Sequence, residues 1–328
     1  RARFFVVVSN LEDIREVHKW ILQKGDDLPI FVLGGGSNIL VSDKGFDGLV
    51  IKNEISGVVF ENVGDQVRAT VGAGENWDAF VETCVNRGLS GIENLSYIPG
   101  TVGGAPVQNI GAYGAEVSSV IESVEAFDIT NGEVRTFSKA ECEFAYRDSF
   151  FKKNQNRFII TRVVFLLKKD EAGETSVNVS YKDLALFFAK QISAGETITP
   201  KQVRDAVISI RKNKLPDWTV MGTVGSFFKN PVITDRQYAE LKAQYPELPA
   251  FPAEEGYVKV PLAWILDNVC GYRGKQYTGA VGVYKNQALV LINDYAKDPN
   301  ATAEHIRALA DEIVACVKEK TRLDIEPE

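Results

Sequence analysis

Apolar and polar positions alternate with helical spacing near the start of the chain. Leu11, Ile14, Val17 and Ile21 recur three or four positions apart, which places them on one face of a helix. Ser9 stands three residues before Glu12, as the two ends of a capping box do. The pattern therefore predicts a first helix that ends near residue 25.

Short apolar runs of strand length surround this helix and a second helical pattern at 77–88. They cover residues 4–8, 30–33, 39–41 and 49–52, the surroundings of Val58 and Val67, and residues 124–128, 134–137 and 158–167. Thr130, Asn131 and Gly132 separate two of the runs, and Asn-Gly favours a hairpin turn. The mixed order predicts α/β and α+β regions rather than a repeated unit.

The last third of the chain has its own pattern. Thr199, Pro200 and Gln202 predict a capped helix that ends at Lys214, and the polar stretch after it is a plausible domain boundary. Beyond it the spacing predicts helices near 234–243, 261–269 and 302–320, with strands near Ala280 and Ala288. These elements predict a separate α/β unit.

Composition and charge exclude several classes of protein. The 328 residues carry 37 Lys and Arg against 44 Asp and Glu, a formal net charge of −7, which argues against a broad nucleic-acid surface. The apolar runs are too short to span a membrane. The four cysteines form no CxxC pair, which argues against a zinc or iron–sulfur site and favours a reducing, cytoplasmic setting. His18 and His305 both fall in amphipathic helical patterns, so mechanisms that need a histidine base are disfavoured.

Three glycine-rich segments lie between residues 34 and 114. They read GGGSN at 34–38, VGAGENW at 71–77 and PGTVGGAPVQNIGAYG at 99–114. Glycine lets backbone N–H groups approach a pyrophosphate closely, so the segments favour a large dinucleotide, with turns of a β-rich domain as the alternative. GGGSNI lacks the third glycine of the GxGxxG fingerprint and the chain contains no GxxxxGK[ST], so neither a Rossmann domain nor a P-loop is predicted.

Six motifs in order along nearly the whole chain then carry a family resemblance. They are GGGSNIL, GAGENW, IPGTVGGAPVQNIGAYG, FAYRDSFFK, GSFFKNP and QALVLIN. Together they resemble the bacterial UDP-N-acetylenolpyruvoylglucosamine reductases, flavoenzymes of cell-wall synthesis. VSYKDL at 179–184 further resembles the tyrosine-bearing loop of the family's first subtype.

The resemblance implies an α+β chain with a vanillyl-alcohol-oxidase-type FAD fold and a third, α/β substrate-binding domain. The expected domains are 1–56 and 57–213 for FAD and 214–328 for substrate. It implies non-covalent FAD, NADPH as co-substrate, and reduction of the enolpyruvyl ether of UDP-N-acetylglucosamine to UDP-N-acetylmuramate in the cytoplasm, and we expect a monomer. Another FAD oxidoreductase of the same fold and a catalytically silent nucleotide-sugar binding protein stay as alternatives.

The resemblance also implies three catalytic residues. Arg147 would bind the substrate carboxylate, Ser226 would protonate the carbanionic carbon, and Glu328 would help to polarise the carboxylate in its protonated form. From residue type alone, each has another interpretation: an ion pair of Arg147 with Asp148, a turn serine, and a frayed terminus.

The remaining site residues are implied in the same way. The FAD ligands would be Gly34, Gly35, Gly36, Ser37, Asn38, Gly100, Thr101, Gly103, Gly104, Val107, Ile110 and Gly111. The substrate ligands would be Tyr181, Lys214, Lys229, Asn230 and Gln287. Lys214 also suits the C-terminal end of a helix, and Tyr181 could be only a half-buried aromatic. No metal is expected.

Overall fold

The computed structural model describes residues 1–25, 27–170 and 177–328, which divide into two compact units. Unit 1 comprises Arg1–Ser37 and Gly45–Arg211, and unit 2 comprises Asn38–Lys44 and Lys212–Glu328. The finer division at 56 and 213 stays a prediction.

Unit 1 carries strands and helices in mixed order. Its strands are β1 (Ala2–Val8), β2 (Ile30–Leu33), β3 (Phe46–Asn53), β4 (Val58–Val63), β5 (Gln66–Gly72), β6 (Leu89–Ser90), β7 (Gly111–Ala112), β8 (Ala115–Glu116), β9 (Ile121–Asp128), β10 (Glu133–Ser138) and β11 (Phe158–Lys169). Its helices are α1 (Leu11–Lys24), α2 (Trp77–Asn86), α3 (Gly104–Gln108), α4 (Phe150–Lys153), α5 (Lys182–Phe187), α6 (Ala189–Ala194) and α7 (Pro200–Lys214), and the unit boundary falls within α7.

The first part of unit 1 is a parallel sheet with strand order β1–β3–β2. Ile14 of α1 is fully buried in one cluster with Val8 and Ile51 of the sheet. Burial of each such side chain stabilises the unit by about 2 kcal/mol. A small layered α/β substructure results.

The second part of unit 1 is an antiparallel sheet with strand order β10–β9–β11–β5–β4. α2 packs into its core, where Trp77 is 1% exposed and Phe165 of β11 is fully buried. The Trp77 indole Nε1–H donates to the carbonyl of Leu95 at 2.8 Å, so its polar atom is satisfied inside the core. This core supports the loops that follow β5 and precede α3.

Unit 2 has its own core. Its strands are β12 (Gly222–Ser226), β13 (Val232–Thr234), β14 (Phe251–Pro252), β15 (Tyr257–Lys259), β16 (Val281–Val283) and β17 (Val290–Asn293), and its helices are α8 (Asp235–Gln244), α9 (Leu262–Asn268) and α10 (Ala303–Thr321). The sheets have the orders β12–β17–β16 and β13–β15–β14. Leu266 of α9 and Ile313 of α10 are buried in one cluster with strand residues of the unit.

Most predicted elements are confirmed, including the hairpin at Gly132, whose φ is +75°, and the capping box of Thr199 and Gln202. Two local predictions are wrong. The side chain that caps α1 is that of Asn10, which accepts from the N–H of Asp13, so Ser9 is not the N-cap. The apolar run 39–41 is not a strand, because it lies in a connecting segment of unit 2. A hydrogen bond from the Ala303 N–H to Asp43 Oδ2 ties this segment to the start of α10.

No helix among residues 1–25, 27–170 and 177–328 is long and apolar enough to cross a membrane.

Candidate active site

The three glycine-rich segments converge in unit 1. The N–H of Trp77 donates to the carbonyl of Gly100 at 3.1 Å, and the N–H of Gly103 donates to the carbonyl of Ala73 at 2.8 Å. Ser37 Oγ donates to the carbonyl of Pro99 at 3.1 Å, which joins the first segment to the third. Loops far apart in sequence therefore form one backbone surface.

This surface depends on the absence of side chains at the point where the first and third segments touch. A Cβ atom at Gly35 would lie 2.7 Å from Gly100 Cα, and one at Gly34 would lie 2.7 Å from Thr101 Oγ1. Gly100 also has φ +122°, a conformation that other residues rarely adopt. Gly35, Gly36 and Ser37 are exposed, so a cradle of backbone is open to an anionic ligand.

The predicted FAD ligand Asn38 belongs to unit 2, whereas Gly34–Ser37 belong to unit 1. The other predicted FAD ligands all belong to unit 1. Val107, Ile110 and Gly111 surround the end of α3, where Asn109 adopts a left-handed conformation with φ +44°. Asn109 Nδ2 donates to the carbonyl of Ala145 at 2.9 Å, which ties α3 to the loop that carries Arg147.

Arg147 projects from a tight turn in unit 1. The main chains of Ala145 and Asp148 exchange hydrogen bonds of 3.0 and 3.1 Å, and Arg147 between them has φ +54°. A left-handed conformation costs about 1 kcal/mol or more for a residue with a Cβ, so surrounding contacts must hold it. Lys152 Nζ supplies one such contact with the carbonyl of Arg147 at 3.1 Å.

The guanidinium of Arg147 has a defined position. Its Nη2 donates to the carbonyl of Gly111 at 2.7 Å, and its Cζ lies 5.4 Å from the centroid of the Tyr146 ring. A Cβ at Gly111 would lie 2.9 Å from Arg147 Nη1, so glycine permits the close approach. Arg147 is thereby tied to a predicted FAD ligand.

Tyr181 lies just before α5 and is 42% exposed. Its ring packs edge-on against Tyr113 with a centroid distance of 5.4 Å. Asn94 Nδ2 holds the two neighbouring loops together by donating to the carbonyls of Tyr113 and Asn178 at 2.9 and 2.7 Å. Burial raises the pKa of Tyr181, and the negative charge of Asp183 raises it further, so Tyr181 remains a neutral phenol at physiological pH.

Ser226 and Glu328 lie on paired backbone segments in unit 2. Ser226 ends β12, and the N–H of Glu328 donates to the carbonyl of Phe227 at 2.8 Å. Phe228 forms a bridge with Pro327, and the N–H of Lys229 donates to the carbonyl of Glu326 at 3.1 Å. The C-terminal residues therefore form an ordered extension beside the GSFFKNP motif, not a frayed terminus.

Two predicted substrate ligands lie in the same motif. Lys229 Nζ is 2.9 Å from Glu326 Oε1, and the Lys229 side chain is only 20% exposed. Asn230 Oδ1 accepts a hydrogen bond of 2.9 Å from the N–H of Leu262, the first residue of α9. Asn230 therefore fixes the position of α9 relative to the motif.

Gln287 and Lys214 lie on two segments of unit 2 that a hydrogen bond joins. Asn286 Nδ2 donates to the carbonyl of Asn213 at 2.9 Å, which ties the turn between β16 and β17 to the end of α7. Gln287 and Lys214 are the residues that follow Asn286 and Asn213 along the chain, and both are half-buried. A cationic and an amide side chain therefore lie on neighbouring segments.

Three residues near the predicted site were not identified from the sequence. Tyr113 lies within a quoted motif, but only the structure shows its contact with Tyr181. Arg211 Nε donates to the carbonyl of Tyr97 at 3.0 Å, and its side chain hydrogen-bonds Tyr113. Burial raises the pKa of Tyr113 to about 12, although the charge of Arg211 opposes the shift. The third residue is Glu326. The only sequence feature that could have identified it is its position two residues before the predicted catalytic residue Glu328.

Comparisons with known proteins match two separate parts of the chain to family models. A family model described as an FAD binding domain matches residues 2–138. A second, described as the C-terminal domain of UDP-N-acetylenolpyruvoylglucosamine reductase, matches residues 217–328.

Relatives of the full chain carry the same name. UDP-N-acetylenolpyruvoylglucosamine reductase of Neisseria gonorrhoeae is 42% identical over 100% of this chain and 91% of its own length. The protein of that name from Burkholderia cenocepacia is 40% identical over the same shares. The crystal structure of UDP-N-acetylenolpyruvylglucosamine reductase from Thermus caldophilus has a TM-score of 0.66 at 23% identity, and the match covers 99% of this chain and 91% of that one. The predicted α+β fold class is confirmed.

Proposed function

The chain belongs to the family of UDP-N-acetylenolpyruvoylglucosamine reductases, and from this premise we propose how its residues reduce the enolpyruvyl ether of UDP-N-acetylglucosamine to UDP-N-acetylmuramate. The cofactor is FAD and the reductant is NADPH, as predicted. The reaction supplies a precursor of peptidoglycan.

The glycine surface of unit 1 suits FAD. Gly34 and Gly35 let the first and third segments touch, and the exposed residues Gly35, Gly36 and Ser37 offer backbone next to that contact. A pyrophosphate needs such close approach to N–H groups. Bound FAD would supply hydride-transfer chemistry between NADPH and the vinyl carbon of the substrate. The residues that would hold it are Gly34, Gly35, Gly36, Ser37, Asn38, Gly100, Thr101, Gly103, Gly104, Val107, Ile110 and Gly111.

Arg147 is the proposed ligand of the substrate carboxylate. Hydride addition pushes electrons toward that carboxylate, so a fixed cation lowers the barrier by stabilising the developing charge. The bond from Nη2 to Gly111 and the contact with Tyr146 orient the guanidinium before substrate arrives. A planar fork of N–H donors matches a carboxylate better than an ammonium group does.

Ser226 is the proposed proton donor, and the pairing of the residues that follow it with the C-terminal extension is the observation that carries the mechanism. The N–H of Glu328 donates to the carbonyl of Phe227, so the backbone of Glu328 lies next to the residue that follows the end of β12. A serine is a weak acid, but it can protonate a strongly basic enolate when its hydroxyl is positioned at the carbon. Glu328 would help to polarise the substrate carboxylate.

The remaining polar residues suit the sugar nucleotide. Lys214, Lys229, Asn230 and Gln287 offer two cations and two amides in unit 2, which match a diphosphate and a sugar. Tyr181 of unit 1 is the remaining proposed substrate ligand, and it has an exposed ring and a neutral hydroxyl. Because NADPH and sugar nucleotides are cytoplasmic metabolites, we place the reaction in the cytoplasm. The monomeric state stays a prediction, to be measured by light scattering.

Anaerobic mixing tests the proposal. NADPH should bleach the yellow protein, and the enolpyruvyl sugar nucleotide should then restore the colour and yield a product heavier by two hydrogen atoms. Another flavoenzyme of the fold would stay bleached after the second addition. A silent binding protein would not bleach at all.

A further inference from the structure

A short segment after α9 runs along one face of α10 in unit 2. Lys320 Nζ donates to the carbonyl of Val269 at 2.8 Å, and the Tyr272 hydroxyl donates to Glu312 Oε1 at 2.8 Å. Residues four apart in a helix lie on the same face, so residues 312, 316 and 320 form one row on α10. The segment 269–272 therefore follows that row in the opposite direction.

This alignment brings together two cysteines that are distant in sequence. Cys316 occupies the middle of the row, and Cys270 follows Val269 in the segment opposite. The bonds of Lys320 to Val269 and of Tyr272 to Glu312 lie on either side of the two cysteines, which places Cys270 next to Cys316, and both thiols are free. Both residues are half-buried against the core of unit 2, whereas Cys84 and Cys142 are fully buried in unit 1.

We propose that Cys270 and Cys316 are a thiol pair that excess hydrogen peroxide converts into a disulfide between α10 and the segment after α9. The two S–H bonds and the peroxide O–O bond break, one S–S bond forms, and both hydrogens leave in two molecules of water. The thiols lose two electrons and the peroxide gains them. A dithiol reductant reverses the step.

The surroundings of the pair set its reactivity. Burial raises the pKa of Cys270 to about 12, and the neighbouring thiol of Cys316 adds to this effect, while the charge of Lys320 opposes it. The thiolate is the reactive form, so oxidation of this pair is slow and needs excess peroxide. The pair therefore stays reduced until the oxidant accumulates.

The disulfide would join two elements that lead to the proposed active site. Asn230 fixes the start of α9, and the chain after α10 continues to Glu326 and Glu328. The disulfide would close the loop from Cys270 to Cys316. Because such a cross-link restricts the unfolded chain, it should raise the melting temperature by several degrees.

The experiment uses the flavin-loaded protein. After hydrogen peroxide treatment, the protein is unfolded in a denaturant that contains iodoacetamide, which alkylates the remaining free thiols. It is then digested without reduction. Mass spectrometry should find the Cys270 peptide joined to the Cys316 peptide, lighter by two hydrogens, with the link lost after dithiothreitol. Cys84 and Cys142 should remain alkylated in the same digest, which provides the internal control.

Cys316→Ser should lose both the cross-linked peptide and the rise in melting temperature, and Cys270→Ser should do the same if Cys316→Ser does not fold. The proposal is overturned if both peptides stay alkylated after peroxide, if each cysteine gains oxygen separately, or if Cys84 or Cys142 joins the cross-link instead.

Discussion

Lys229 Nζ lies 2.9 Å from Glu326 Oε1, so a proposed ligand of the substrate is held by an acid two residues before Glu328. The Glu326 side chain is 71% exposed, and exposed ion pairs contribute at most about 1 kcal/mol. The pair therefore orients the lysine in the free protein without competing strongly with a diphosphate.

Mutation of Lys229 and mutation of Glu326 should consequently have different effects on KM for the sugar nucleotide. Lys229→Met should raise KM for the sugar nucleotide by roughly tenfold or more, because a charge-assisted hydrogen bond contributes about 2 kcal/mol. Glu326→Gln should change KM by less than about fivefold. Steady-state kinetics measures both values, and equal losses in the two variants would contradict the assignment of Lys229 to substrate.

Gly35→Ala should weaken flavin binding. The new Cβ would lie 2.7 Å from Gly100 Cα, and backbone cannot yield as a flexible side chain can. Overpacking of this kind costs about 1–3 kcal/mol, or on the order of tenfold to hundredfold in affinity. The ratio of flavin to protein absorbance measures the effect.

Gly279→Ala is the matched control, because its Cβ would meet only Asp298 Cβ at an ordinary 3.9 Å. It should stay yellow. A Gly35→Ala protein with full flavin content would show that the first and third segments do not form the cradle.

Arg147→Lys should separate cofactor binding from substrate reduction. A lysine keeps the charge but loses the planar fork, so reoxidation of the reduced flavin by the sugar nucleotide should slow by roughly a hundredfold. Bleaching by NADPH should stay near normal. Stopped-flow absorbance follows both steps, and a colourless variant would place Arg147 with the cofactor instead.

Asp128 should make the stability of unit 1 depend on acidic pH. Its burial alone would raise the carboxyl pKa, but bonds from Arg157 and Thr130 outweigh that effect and hold the pKa at about 2, below the ordinary 3.8. Its contribution is therefore complete well above pH 3.8 and is lost as the pH falls through about 2.

Asp128→Asn should lower the free energy of unfolding by up to about 2 kcal/mol at neutral pH, and the difference from the parent should vanish near pH 2. Asp47→Asn is the control, because its pair with Arg3 is exposed. Denaturant titrations at several pH values measure both. A difference that does not change with pH would show that packing, not charge, accounts for the loss.

Local patterns predicted helices well where a capping residue and apolar spacing coincide, as at Thr199. They failed where two neighbouring polar residues could both cap, because Asn10 and not Ser9 caps the helix that begins at Leu11. Apolar composition alone also gave a wrong prediction at 39–41. These residues lack the alternation of apolar and polar positions that marks a half-buried strand, and Val41 is 54% exposed in a connecting segment.

Contacts between distant segments could not be predicted from single residues. The ring contact of Tyr113 with Tyr181, the ion pair of Lys229 with Glu326, and the meeting of two cysteines each require the completed fold. The motifs identified which residues to examine, whereas tertiary packing determines which of them meet.

Ser226→Ala provides the most direct test of the proposed mechanism. In an anaerobic stopped-flow experiment, the variant should bleach with NADPH at nearly the parental rate, because the serine takes no part in that step. The bleached protein should then fail to form UDP-N-acetylmuramate after addition of the enolpyruvyl sugar nucleotide. Product formation at the parental rate, or equal loss of both half-reactions, would contradict the role of Ser226 as proton donor.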